Sequence, residues 1–147
     1  MHFPSAPAQE VERLRTLLAS PKRCAIVTHY NPDGDAVGSS VGLWHLLRAA
    51  GHSATVLFPN MPPAFLLWLP GVDQAIAFDR DPAKALATIR DCDVLFCLDF
   101  NRADRVGGLE EALKAAPLKV LIDHHEEPDP FAAITFSDTN ALSLIHI

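Results

Sequence analysis

"CAIVTHYNPDGDAVGSS", residues 24–40, decides how the chain is read. It opens with a short apolar run rich in β-branched residues, the pattern of a strand buried on both faces. "NPDG" then supplies Pro at the second position and Gly at the fourth of a tight turn. From Asp35 the period changes: Val37, Val41, Trp44 and Leu47 form the inner stripe of a helix running to Ala50. The small residues Gly38, Ser39 and Gly42 would let that helix lie close to a sheet. His29, Asp33 and Asp35 therefore crowd the junction of a strand and a helix. No G-K-[ST] follows the glycine turn, which argues against a P-loop.

Outward from this stretch the alternation continues in both directions. "AQEVERLRTLLAS" carries Val11, Leu14, Leu17 and Leu18 on one helical face, and Pro21 stops it. "SATVLF" reads as a strand, "PNMPPAFLLWLPG" as a loop with one helical turn, and "QAIAF" as a short strand. A helix follows over "DPAKALATIRD", capped by Asp81 with Pro82 at its first position. "DVLFCLD" is a strand, "GLEEALKAA" a helix, "LKVLID" a strand, "HHEEPDPF" a polar loop and "AAITFS" a last strand. Strands alternating with helices predict an α/β fold, a mainly parallel sheet with helices on both faces. Such sheets bind ligands beyond the C-terminal ends of their strands.

Composition narrows the classes. A chain of 147 residues suits one domain. No apolar stretch is long enough to span a membrane, and the N-terminus lacks a signal-peptide pattern, so a cytoplasmic location is expected. Cys24, Cys92 and Cys97 each lie in or beside apolar runs and read as buried free thiols. A net charge of −6 argues against a broad nucleic-acid-binding face, so a nucleotide would need a local site.

Three strand ends share one chemistry. The first strand runs into His29, Asp33 and Asp35; the fourth ends at Asp99; the fifth ends at Asp123, His124 and His125. A carboxylate at the end of a buried run disfavours folding unless a partner waits for it. Four Asp and three His on one sheet edge suit a pair of divalent cations, and the mixture of carboxylate and imidazole favours manganese. A bridging carboxylate can hold two ions about 3.5–4 Å apart, the arrangement of hydrolases that activate water for in-line attack on phosphorus. Two divalent ions outweigh the charges of Asp33, Asp35 and Asp99, so the filled site attracts phosphate to an acidic protein. No Ser or Cys nucleophile is then required.

The segments "THYNPDGDAVGSS", "CLDFNRADR" and "LIDHH" resemble the first three motifs of the DHH-family phosphoesterases, in order, over roughly Lys22 to Ala141. Within that family the likeness is greatest to the bacterial nano-RNase/pAp phosphatase branch, which degrades very short oligoribonucleotides and dephosphorylates 3′-phosphoadenosine 5′-phosphate. The resemblance implies that His29 and Asp33 bind one metal, Asp35 and His124 the other, and that Asp99 bridges both. His125 would face the substrate phosphate, with Asp123 behind a histidine to orient it. Asp99, Asp123 and His125 are thus the implied catalytic group. Arg105 matches an arginine that often follows the second motif, and either a phosphate contact or a structural salt bridge is expected of it. His45 and His52 match no motif.

Family members continue into a further Asp ligand and a second, substrate-gripping domain. Asp138 comes too early to be that ligand. "FSDTNA" resembles a strand leading into Ser-Ser-Thr, whereas "LSLIHI" does not continue it. The expected organisation is therefore a catalytic domain over residues 1–141, incomplete at its C-terminus, with residues 142–147 a tail foreign to the family. Alternatives are a manganese-dependent pyrophosphatase or cyclic-dinucleotide phosphodiesterase on the same motifs, and a non-catalytic metal-binding remnant. A receiver-type phosphoacceptor has no use for His29, His124 and His125. The expected partner is a short RNA or nucleotide phosphate, with no membrane. A homodimer is compatible with the edges such a sheet exposes.

Overall fold

The computed structural model describes residues 6–147. In chain order the elements are α1 (Ala8–Leu17), β1 (Arg23–Thr28), α2 (Gly34–Ala49), β2 (Ser53–Phe58), β3 (Ile76–Ala77), α3 (Pro82–Asp91), β4 (Val94–Leu98), α4 (Glu110–Ala115), β5 (Lys119–Asp123) and β6 (Ile134–Ser137). The strands form one sheet in the order β3-β2-β1-β4-β5-β6. Every pairing is parallel, with Ile26 opposite Val56 on one side and Phe96 on the other. The α/β class read from the sequence is the class observed.

Continuous apolar strands are explained by burial on both faces. Ile26, Phe96, Leu98 and Val120 join Val37, Val41, Trp44 and Leu47 of α2, with Val11, Leu14 and Leu17 of α1 against them. Ala25, Val27, Leu95, Cys97 and Leu121 turn the other way, toward Ala85 and Ile89 of α3 and Leu113 of α4. Each fully buried large side chain contributes about 1.5–3 kcal/mol relative to exposure, so burial stabilises the sheet centre most, and the strand ends are anchored to it.

Local signals fall close to the observed boundaries. Asp81 caps α3 by accepting from the Lys84 amide at 3.1 Å, with Pro82 first in the helix. All three cysteines are buried and free. The "QAIAF" strand narrows to Ile76–Ala77, and the helix expected from Gly108 begins at Glu110, after a 3-10 turn over Ala103–Leu109. Asp33, read as a turn residue, instead caps α2: its Oδ1 accepts from the Ala36 amide at 3.0 Å, so the helix starts at Gly34. Gly38 and Gly42 do not mediate close packing, since a Cβ on either would meet open space. The fully buried small residues of α2 are Ala36 and Ser40. At the C-terminus Leu144 is buried and Ile147 packs partly buried against the α2 face.

Among the described residues no helix is long and apolar enough to cross a membrane.

Candidate metal centre

The strand order reverses direction between β1 and β4, and a crevice forms beyond the carboxyl ends of strands at such a switch point. His29 leaves β1, Asp99 leaves β4, and Asp123 ends β5, with His124 and His125 following. The sheet alone brings these distant residues to one rim.

Asp99 lies at the centre. It adopts φ +66, a left-handed conformation that Asp and Asn tolerate better than most residues, while its amide donates to Ile122 O at 3.1 Å. The residue is 2% exposed, and its Oδ1 is buried with no hydrogen bond among the described residues. Oδ1 lies 3.0 Å from His124 Nε2, and Oδ2 lies 3.6 Å from His29 Nε2.

Both rings are fixed from behind. His29 Nδ1 is 2.7 Å from Tyr30 O, and His124 Nδ1 is 2.9 Å from Ala141 O. A carbonyl only accepts, so each ring donates from Nδ1 and, when neutral, turns an Nε2 lone pair toward Asp99. The facing Asp99 carboxylate raises the His29 pKa above its ordinary value against opposing burial, with the Tyr30 carbonyl and the Asp33 charge helping. Burial opposes protonation of His124, but the Ala141 carbonyl and the charges of Asp99, Asp35 and Asp123 outweigh it and raise that pKa too. A neutral ring and a buried carboxylate facing each other are two acceptors without a donor. A proton or a metal cation resolves that conflict.

The distances suit a metal. Donors each about 2.1 Å from one ion lie roughly 3.0–3.5 Å apart in octahedral or tetrahedral geometry, near the 3.0 and 3.6 Å seen here. Asp99 belongs to two such groups: one with His29 and Asp33, the other with His124 and His125, donor atoms within 4.8 Å in each. The carboxylate–imidazole donor set, with one shared buried Asp, fits divalent cations of the manganese or zinc type.

The remaining residues divide by what holds them. Asp33 Oδ1, 3.9 Å from His29 Nε2, also serves as the α2 cap. Asp35 sits in the first turn of α2 with Oδ2 3.6 Å from His124 Nε2; it accepts from the Ser143 hydroxyl and from the Leu144 amide. His125 joins the second group by distance, its Nδ1 4.0 Å from Asp99 Oδ1. That same Nδ1 is 2.7 Å from Asp123 Oδ1, while the His125 amide donates to Asp123 Oδ2 at 3.1 Å. The fully buried Asp123 thus clamps His125 and leaves Nε2 as its free atom.

Arg105 is exposed and forms no ion pair among the described residues, whereas nearby Arg102 is tied to Asp104 at 2.9 Å. His45 and His52 stand apart: His45 Nε2 lies 3.0 Å from Pro70 O, and His52 Nδ1 accepts from the Lys22 amide. Sequence reading did not identify the Tyr30 and Ala141 carbonyls or Ser143. Backbone carbonyls carry no residue signal, and a serine opposite Asp35 is visible only once the chain folds back.

A parallel sheet with an Asp-His-His rim and a shared buried Asp defines a DHH-type domain. The chain belongs to the DHH family: the description "DHH family, N-terminal domain" matches residues 23–146. Two curated relatives are similar. A bifunctional oligoribonuclease and PAP phosphatase NrnA from Thermus thermophilus is 36% identical over 100 residues, covering 68% of this chain and 27% of that protein. A probable NrnA of the same description from Streptococcus mutans is 28% identical over 136 residues, covering 90% of this chain and 40% of its own length. The chain therefore spans well under half of these relatives. An exopolyphosphatase-related protein from Bacteroides fragilis superposes with TM-score 0.93 at 34% identity, covering 96% of this chain and 42% of that one. Exonuclease RecJ bound to manganese shares the fold, with TM-score 0.56 at 15% identity, covering 97% of this chain and 34% of its own.

Proposed function

We propose that this domain is the metal-binding half of a hydrolase that cleaves phosphoesters of very short oligoribonucleotides and of 3′-phosphoadenosine 5′-phosphate. The observation that carries this reading is Asp99, a buried carboxylate without a hydrogen-bond donor at Oδ1, flanked by two histidines whose Nε2 atoms face it. Family membership supports phosphoester chemistry, and the names of the NrnA relatives support the substrate class.

In this reading His29 and Asp33 hold one cation, His124 and Asp35 a second, and Asp99 both; manganese suits the donor set. Bound divalent cations would supply Lewis-acid stabilisation of phosphate charge and a water acidic enough to attack near neutral pH. The chain's own residues do the rest. The Tyr30 and Ala141 carbonyls keep His29 and His124 in the tautomer that offers Nε2. Asp123 fixes His125 by accepting from Nδ1, so that Nε2, when the ring carries a second proton, would donate to a phosphate oxygen or the departing oxygen. Arg105, exposed and free of a carboxylate partner among the described residues, would neutralise a second phosphate charge. Residues 1–141 supply all the proposed cation ligands, and residues 142–147 add none but dock on that unit, Ser143 and Leu144 donating to Asp35.

Manganese titration combined with hydrolysis of a diribonucleotide, 3′-phosphoadenosine 5′-phosphate, pyrophosphate and a cyclic dinucleotide tests the proposal. Two ions bound with turnover of the first two substrates is the expected result. Preference for pyrophosphate or the cyclic dinucleotide would move the assignment to those activities. Metal uptake without any turnover would mark a non-catalytic domain.

A further inference from the structure

We propose that the exposed ring of Tyr30 is a stacking platform for a nucleobase, one residue from the metal centre. The inference deepens the nucleotide phosphoesterase reading above and rests on it.

Tyr30 is 53% exposed, yet its backbone is held on every side. Its carbonyl takes the His29 Nδ1 proton at 2.7 Å, and its amide donates to Arg105 O at 2.6 Å. The next residue, Asn31, adopts φ +54 and is locked by Asn60: the Asn31 amide donates to Asn60 Oδ1 at 2.7 Å, and Asn60 Nδ2 donates to Asn31 Oδ1 at 3.1 Å. The ring rests against Gly107, where a Cβ would come within 3.3 Å of Tyr30 Cδ2. Gly107 has φ 56 and ψ −129, a conformation open essentially to glycine alone. The 3-10 turn after β4 thus presses its backbone against the ring edge.

An aromatic ring held this firmly while exposed gains little from folding, since its apolar area stays wet. The hydroxyl makes no hydrogen bond among the described residues, so it does not explain the placement either. What the arrangement provides is an exposed π-face on a backbone already fixed before any ligand arrives, which lowers the ordering cost of stacking. The same carbonyl that orients His29 fixes the platform relative to the cation-binding atoms. The backbone partner of Tyr30 is Arg105, an exposed arginine with no ion pair among the described residues. A cation for phosphate and a face for a base, on residues joined by one backbone hydrogen bond, match a nucleotide rather than pyrophosphate. Stacking is tolerant of base identity because every base has a π-face.

The test uses a diribonucleotide with a non-hydrolysable linkage carrying 2-aminopurine, its abasic counterpart, and manganese. Affinities come from fluorescence titration of the first and calorimetry of the second. Replacing a stacking aromatic by Ala costs about 5- to 150-fold in affinity per base. Tyr30→Ala should lower the ratio of base-bearing to abasic affinity by that factor and abolish the quenching of 2-aminopurine. Tyr30→Phe should keep both. Tyr30→Leu, which keeps an apolar contact with Gly107 but no π-face, should behave like Tyr30→Ala. An unchanged ratio in Tyr30→Ala, equal losses for both ligands, or no binding to the wild-type protein would each overturn the proposal. If the ratio falls but the natural dinucleotide is never hydrolysed, the platform stands and the phosphoesterase reading fails.

Discussion

Asp99→Asn separates the two demands placed on one carboxylate, folding and cation binding. Asn is nearly isosteric and accepts left-handed φ as readily as Asp, so the φ +66 at this position imposes no new strain. In the metal-free protein the change removes a buried negative charge whose Oδ1 has no hydrogen-bond donor. An amide NH2 placed there could donate to His124 Nε2, 3.0 Å away. Metal-free stability should therefore hold or rise. Cation binding should move the other way, because both donor groups lose their shared anionic member. Losing an outer-shell partner alone typically costs 10- to 100-fold in metal affinity, so losing this ligand should exceed about 100-fold, or about 2.7 kcal/mol. At a free manganese concentration of 100 Kd, one site stabilises the folded state by about 2.7 kcal/mol. For a domain of this size that is about 5–11 °C in Tm. Thermal melts in EDTA and in manganese give both quantities from one pair of samples. Wild type should gain this increment and Asp99→Asn should not, with melts in EDTA equal or higher for the variant. A variant that kept the full manganese increment would refute the shared-ligand assignment.

Three further outcomes follow from the same contacts. His29 and His124 both have raised pKa values, so the stability they add without metal is complete below about pH 6.5, the unfolded value, and is lost as pH rises through their folded values. The Tm in EDTA should fall from pH 6 toward 8 while manganese affinity, measured by titration, rises over the same interval. His125→Ala should lower kcat by about 10²–10⁴-fold, the usual share of a proton-transferring side chain, and leave manganese stoichiometry unchanged in calorimetry. Ser143→Ala removes a hydroxyl donor from Asp35, which keeps the Leu144 amide; it should weaken one of two manganese sites about tenfold and spare the other.

The fold was legible because two-sided burial leaves the sequence little choice. Strands at the sheet centre must be apolar on both faces, and "CAIV", "VLFCL" and "VLI" are. β3, only Ile76–Ala77, was overread because an edge strand has fewer partners to extend it. The site was legible to the extent that chemistry resides in side-chain identity. His29, Asp99, His124 and Asp123 stand out as polar residues at the ends of apolar runs. The dual use of Asp33 was not visible, because one carboxylate can serve a helix cap and still face His29. Glycine also misled: a Cβ on Gly38 or Gly42 would meet open space, while the fully buried small residues of α2 are Ala36 and Ser40. The orienting carbonyls of Tyr30 and Ala141 belong to the backbone and depend on its path alone.

The two halves of the proposed centre differ in how their geometry is secured. His29 and Asp33 are oriented by Tyr30 O and Ala36 N, contacts made within residues 29–36 and available once β1 joins α2. His124 and Asp35 depend on Ala141, Ser143 and Leu144, and the Ser143–Asp35 contact closes a sequence separation of 108 residues. Such a contact exists only while residues 141–144 stay docked, and Leu144 and Ile147 are the apolar side chains that dock them. Local opening of a short docked segment costs far less than unfolding the sheet. Its opening would release the partners of His124 and Asp35 while His29, Asp33 and Asp99 kept theirs. That is why loss of the Ser143 hydroxyl should be felt at one ion and not the other.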